Sequence, residues 1–533
     1  MKQVKAMSTD RRALLSLMLQ ERGVTIPARA AIPRREPGSP LPLSFAEERL
    51  WLLDRLAPGG DRYNIPAISR LSGNLDVPAL QRSLTEIARR HETLRTTFAE
   101  DGEVPYRVIA PAAELPLSVC DLTATLPNER EAAADRVIRE EATKPFDLVC
   151  GPLFRGTLVR LSEREHILAL TFHHIVADGW SLGVFTREFA TLYEAFSQGR
   201  HSPLTELPIQ YADFAIWERD HLRGPLLDER LAYWRQHLHG SLPTLQLPVD
   251  RPRPEVPSYR GRHEPIRLGA PLTKSLRDLG RQQGVTLYVV LLTAFHILLH
   301  RYSGQLDIIV GSPLANRGRQ ELENLIGFFV NTLPLRIDLT GNPTFRELLQ
   351  RVQRVTLGAA QHEDLPLARL VSALRPERHL NRNPLFQVEF ALLTPDHNPA
   401  VYGYGLQSPV QCSHRLCDLT VKPQDVEGGI ARFDISIFLW DLPDMLSGVL
   451  EYSAELFDQS TITGMLACFE DLLGRAVAAP DSTLDDLVEH VRKTDRLRSE
   501  SAGTAYDQSS HRKLLEVKRN AARGRGKQGG HAA

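Results

Sequence analysis

A chain of 533 residues exceeds what one hydrophobic core ordinarily organises, which predicts two lobes. With 42% hydrophobic and 24% charged residues, the composition is that of a soluble globular protein. The formal net charge of -1 gives no global field that would recruit nucleic acid or an anionic membrane. The five cysteines (Cys120, Cys150, Cys412, Cys417, Cys468) show neither C-x-x-C nor Cys/His metal spacing. They are expected as reduced, mostly buried thiols of a cytoplasmic protein without a metal site.

Lys2 and Lys5 are not followed by the apolar stretch of a signal peptide. Residues 9 to 22 have apolar positions at helical spacing, and a Pro- and Arg-rich linker follows, so 1–41 is set apart from the globular sequence. From Val77 to Phe98 the positions Leu80, Leu84, Ile87, His91 and Leu94 predict one helical face. Glu165 to Ile175 has the composition of a buried strand closed by an Asp-Gly turn, and helical spacing resumes from Ser181 to Phe196. A proline-rich stretch, Pro243 to Gly261, suits neither regular element. A helical run over Leu272 to Arg301 comes next, with a core segment at Val285 to Leu299 too short and broken to span a bilayer. A strand at Asp307 to Val310 and further mixed elements follow, to about Leu473. The division expected is an α/β (α+β) chain with one lobe at 42–222, a second at 223–486, and a polar, basic, disordered tail at 487–533.

The string His173-His174-Ile175-Val176-Ala177-Asp178-Gly179-Trp180-Ser181 carries the most chemistry. Side chains alternate across a strand, so one histidine looks into a cleft while the other packs inward. Asp178 falls past the strand end, where it can hold local geometry through a salt bridge, and Gly179 permits a tight turn. A histidine titrating near pH ~6.5 can take a proton from an attacking amine. Taken alone, the string is equally compatible with a satisfied core histidine and an ordinary turn.

Eight further segments, in order from Leu43 to Asp458, change that balance. They are LSFAEERLWLL (with Glu47 where Gln is usual), RHETLRTTF, YADFAIW, IGFFVNTLPLR, HEDLPLARLV, NRNPLFQVEF, ARFDISIFL and GVLEYSAELFD. Together with HHIVADGWS, they resemble the condensation domains of nonribosomal peptide synthetases. The resemblance implies two chloramphenicol-acetyltransferase-like lobes in a V shape, with a tunnel reached from both sides by phosphopantetheine arms. His174 would face the tunnel, His173 would support the turn, Asp178 would be structural, and a backbone N–H near Gly179 would stabilise an oxyanion. Trp180, Ser181, Arg317, Asn331 and Arg336 are expected in substrate-binding or supporting roles, Arg317 as an ionic partner of Asp178.

The implied reaction is direct acyl transfer: the amine of an acceptor aminoacyl thioester attacks a donor acyl or peptidyl thioester, forming an amide. HHIVADGWS and RHETLRTTF look most like the subtype joining an L donor to an L acceptor. No cofactor is expected on the chain itself. The partners expected are donor and acceptor peptidyl carrier proteins, with adenylation domains or other synthetase modules, and neither nucleic acid nor membrane. An ester-forming or coenzyme A-dependent acyltransferase and a non-catalytic recruiting domain are the rival readings. A Ser181 nucleophile is disfavoured because no G-x-S-x-G elbow is present.

Overall fold

A computed structural model describes residues 31–115, 117–377, 381–393, 414–424 and 429–497. Two large sheets organise these residues. The first holds six strands in the order His414–Leu416, Leu419–Pro423, Asn64–Ser72, Glu165–His173, Phe154–Arg160 and Leu117–Asp121. The second holds seven, in the order Gly429–Ile430, Arg260–Leu268, Leu446–Ser453, Ile435–Asp441, Val388–Leu393, Asp307–Leu314 and Asn331–Asp338.

The strand Glu165–His173 is buried on both faces, which explains its near-continuous apolar run. Leu168, Leu170 and Phe172 pack on one side with the helices Val77–Arg90 and Gly179–Ser197. Ile167 and Ala169 pack on the other with Ala134 and Ile138 of the helix Pro127–Thr143. The second core gathers the helices Ala270–Gln283, Leu287–Ser303, Phe345–Ala360 and Gln459–Ala478 against the larger sheet.

Several expectations need correction. The predicted helix from Val77 to Phe98 ends at Arg90, and a 3-10 turn, Glu92–Arg95, leads into the strand Thr96–Asp101. The β-branched and aromatic run Thr96-Thr97-Phe98 favours the extended form, and it pairs with Val104–Ile109. The single helical run from Leu272 to Arg301 is two helices bent by 104°. Gly284, at φ 66°, closes the first of them in the left-handed conformation that only glycine adopts freely. Among the described residues no single helix is long and apolar enough to cross a membrane.

The expected lobe boundaries are also crossed. Leu419–Pro423, from the portion assigned to the second lobe, pairs antiparallel with Asn64–Ser72 of the first sheet. The tail is expected from residue 487, yet the chain is helical over 484–497. Leu487, Val488 and Val491 are buried there in the second core, because their spacing gives that helix an apolar stripe. Within the expected linker, Ile32 is buried beside Leu207 and Ile209, and Arg35 bonds Asp213 (3.0 Å) and Glu92 (2.9 Å). The expected helix at 9–22 and positions 498–533 of the tail lie outside the described residues. Of the four described cysteines only Cys468 is buried, while Cys150 and Cys417 are exposed.

Candidate active site

Strand Glu165–His173 delivers the histidine pair to the edge of a cavity of about 1240 Å³ lined by both halves of the chain. His173 turns into the protein, edge-on to Tyr63 and Phe146, and its Nδ1 accepts the Ile175 N–H at 3.1 Å. His174 turns the other way and lines the cavity, with its ring edge-on to Phe328 at 4.8 Å. Its Nδ1 lies 2.9 Å from the Ala177 carbonyl. A carbonyl can only accept, so Nδ1 carries the proton and Nε2 keeps its lone pair.

Both imidazoles are held neutral. Burial pushes His173 down to about 3, with His174 and Arg432 adding repulsion. Burial also pushes His174 well below the ordinary histidine value; Arg432 lowers it further and Asp178 opposes the shift. Arg432 was not singled out from the sequence. Its guanidinium donates to the Arg62 carbonyl (3.4 Å) and stands over the Tyr63 ring, so it reaches from the second half of the chain to the first.

Asp178 caps the helix Gly179–Ser197 and is fully buried. Its carboxylate accepts from the Ser181 N–H (2.8 Å), the Ser181 hydroxyl (2.7 Å), the Phe329 N–H (3.0 Å) and Arg317 Nη2 (3.1 Å). Arg317 also donates to the Leu322 and Leu325 carbonyls and stacks on Phe329. Ser181 Oγ accepts the Gly327 N–H at 3.0 Å. These bonds clamp the histidine loop onto the segment 317–329. Gly327 has no room for a side chain, because an added Cβ would sit 1.9 Å from the Tyr211 ring. Trp180 lines the cavity and donates from Nε1 to the Glu323 carbonyl at 2.8 Å.

One expectation about the site changes, and two residues sit on the supporting side of theirs. Gly179 does not need glycine's conformational range: its φ is not positive, and an added Cβ would meet nothing within 4 Å. It opens the helix instead, where its N–H has no intrahelical acceptor, and it lines the cavity. Asn331 is committed to structure. Its amide donates to the Glu363 and Leu365 carbonyls and accepts the Leu367 N–H, each within 2.9 Å. Arg336 is paired with Asp307 at 2.6 Å and with the His239 and Ser241 carbonyls, away from the cavity lining. The sequence leaves both roles open for the amide and the guanidinium because their neighbours give no sign of these backbone partners.

Among the described residues no group of three His, Cys, Asp or Glu side chains is placed to hold a metal ion. The site instead offers a neutral, oriented imidazole and a helix-start N–H that has no intrahelical acceptor, on one wall of a roomy cavity. That suits acyl transfer between two bound groups better than nucleophilic attack by Ser181, whose hydroxyl is buried in the clamp.

The family model described as "Condensation domain" matches residues 39–495. The chain belongs to the condensation-domain family. It is 45% identical over 447 residues to chondramide synthase cmdD of Chondromyces crocatus, covering 84% of this chain and 11% of that protein. It is 40% identical over 523 residues to phosphinothricin tripeptide synthetase PhsC of Streptomyces viridochromogenes, covering 98% of this chain and 47% of that protein. The chain thus spans less than half the length of either relative. Among solved structures, the X-domain from teicoplanin biosynthesis superposes with a TM-score of 0.76 at 30% identity, covering 86% of this chain and 99% of that one. The two sheets with their helices are therefore the paired chloramphenicol-acetyltransferase-like lobes of a condensation domain.

Proposed function

We propose that this condensation domain forms an amide bond between a donor acyl or peptidyl thioester and the amine of an acceptor aminoacyl thioester. Each substrate is carried on the phosphopantetheine arm of a carrier protein, and the chain works in the cytoplasm beside adenylation and other synthetase modules. The observation that carries this reading is the orientation of His174. Its Nδ1–H is fixed on the Ala177 carbonyl, which leaves Nε2 as a hydrogen-bond acceptor at the cavity wall. There it accepts a hydrogen bond from the attacking amine and orients it as the carbon–nitrogen bond forms, and the amine proton passes on to the departing thiolate. The tetrahedral intermediate collapses with expulsion of the donor thiolate, which takes up a proton. The Gly179 N–H, at the start of a helix, supports the negative oxygen of that intermediate. Asp178, Ser181 and Arg317 act on this chemistry only by holding the loop in place.

Bringing two carrier arms together in one cavity supplies much of the acceleration, since the reaction becomes effectively intramolecular. The test is incubation with a loaded donor carrier and a loaded acceptor carrier, followed by intact-protein mass spectrometry. A dipeptidyl thioester on the acceptor carrier is expected, with a rate about 10²- to 10⁴-fold lower in His174→Ala. The X-domain has also been solved as a complex with OxyB, which gives the recruiting reading a structural neighbour. Absence of dipeptide with a broad carrier panel, in a protein that still binds carriers, would put recruitment ahead of catalysis.

A further inference from the structure

On the second sheet, one row of polar side chains lies between an apolar row on one flank and the polar pair Gln387 and Asp434 on the other. Glu389, Ser436, Glu451 and His263 are direct partners across four adjacent strands, so they point to the same side. Two residues along, the same face carries Ala391, Phe438, Val449 and Pro265. Glu389, Glu451 and His263 line the cavity that His174 also lines. Glu389 is only 8% exposed, and among the described residues its carboxyl has neither a hydrogen bond nor an ion pair. Beside it the Ser436 hydroxyl is buried without a partner. Glu451 is half-buried and 3.3 Å from His263 Nε2.

A nearly buried carboxyl that lines a cavity without a protein partner is an acceptor open to a ligand. We propose that this row reads a substrate side chain ending in a primary ammonium, with Glu389 as the principal acceptor and Ser436 and Glu451 flanking it. The proposal rests on the acyl-transfer reading, because it assumes that an aminoacyl group enters this cavity. The groups facing Glu389 agree with it. Burial and the charge of Glu451 push its carboxyl up to about 8, while Arg432 and Arg49 pull it down without forming an ion pair. Arg432 is directed to the Arg62 carbonyl and the Tyr63 ring. An incoming ammonium would add the direct ion pair that Arg432 and Arg49 do not make, and would ionise the acid as it binds.

The experiment is calorimetric titration of the chain with unreactive pantetheine amides of ornithine, norvaline and glutamine. Each is used with a free amine, as an acceptor mimic, and N-acylated, as a donor mimic. In one of the two forms the ornithine conjugate is expected to bind at least about tenfold tighter than the norvaline and glutamine conjugates. Glu389→Gln, which keeps the shape of the side chain, is expected to erase that preference without lowering the melting temperature. Equal affinities in both forms, a preference for glutamine, absence of binding, or an ornithine preference that survives Glu389→Gln would each overturn the proposal. Dipeptide formation from alanyl carriers is measured in parallel. If it persists while the preference is absent, only the pocket assignment falls; if it is absent while the preference is present, only the acyl-transfer reading falls.

Discussion

Asp178 and Arg317 form an ion pair 3.1 Å long whose side chains are 0% and 1% exposed, and it joins the histidine loop to the second half of the chain. Desolvation alone makes such a pair expensive, so its presence calls for the further bonds that surround it. Asp178 has three additional donors, and Arg317 has two backbone carbonyls and an aromatic face. Arg317→Ala would strand a buried carboxylate and two buried carbonyls. The expected loss is about 3–5 kcal/mol, measured by urea unfolding. Amide formation should fall with it, because the loop that orients His174 loses its anchor. A loss below about 1 kcal/mol would mean that the clamp does not fix the loop.

Gly179 separates space from backbone freedom as the reason for a glycine. Its backbone is ordinary and its surroundings are open, so Gly179→Ala should change stability by no more than about 0.5 kcal/mol. Gly179→Leu should fold equally well but place a bulky side chain in the cavity beside His174. Amide formation is then expected to drop roughly 10- to 100-fold, since small misplacements at the reacting centre are costly. Thermal melting and carrier-based turnover, measured on both variants, check the two halves of this expectation. A melting temperature that collapses in Gly179→Ala would show that the backbone, not the cavity, requires the glycine.

The strand–turn–helix that presents His174 was legible because each part is local: a buried apolar run, an Asp cap, and helical spacing after it. The opposing directions of His173 and His174 followed from strand geometry alone. What stayed hidden depends on contacts far apart in sequence. Nothing around Leu419–Pro423 says that it pairs with Asn64–Ser72, and nothing around Asn331 announces the Glu363 and Leu365 carbonyls. Glu389 did leave a signal, an acid inside the apolar strand Val388–Leu393, but its meaning depends on the partners that the sheet places beside it. Arg432 left none, because its importance arises only where the two sheets meet.

Asn331 and Arg336 share one strand and should behave differently from substrate-binding residues. Asn331→Ala would leave two carbonyls and the Leu367 N–H without their partner. Unfolding measurements should show a loss of roughly 2–4 kcal/mol. Arg336→Gln breaks a partly exposed pair with Asp307 and should cost about 1 kcal/mol or less. Substrate selection, measured as the ratio of kcat/KM for two acceptors, should be unchanged in both. A changed ratio in Arg336→Gln would return that residue to the site.

The buried titrating groups set a pH optimum for stability by opposing each other. His91, His166, His173, His174, His237 and His296 are all pushed down, chiefly by burial: His173 and His174 to about 3, His237 and His296 to about 4. Below the ordinary histidine value the unfolded chain binds protons that the folded chain refuses, so these groups withdraw stability as pH falls from about 6.5. Glu218 and Glu389 are pushed up to about 7 and about 8, mainly by burial and then, for Glu218 against the Phe45 N–H, by Glu47 and, for Glu389, by Glu451. The folded chain keeps those protons where the unfolded chain has lost them, so stability is withdrawn as pH rises from about 4.5 toward 7–8. Six histidines outweigh two carboxyls near pH ~6, and the carboxyls dominate once the histidines are neutral in both states. The midpoint of urea unfolding should therefore peak near pH ~7 and fall on both sides. Glu389→Gln removes one of the two carboxyls and should flatten the alkaline side while leaving the acid side as it was. An alkaline limb of the same slope in that variant would show that Glu389 is ionised in the folded chain at neutral pH.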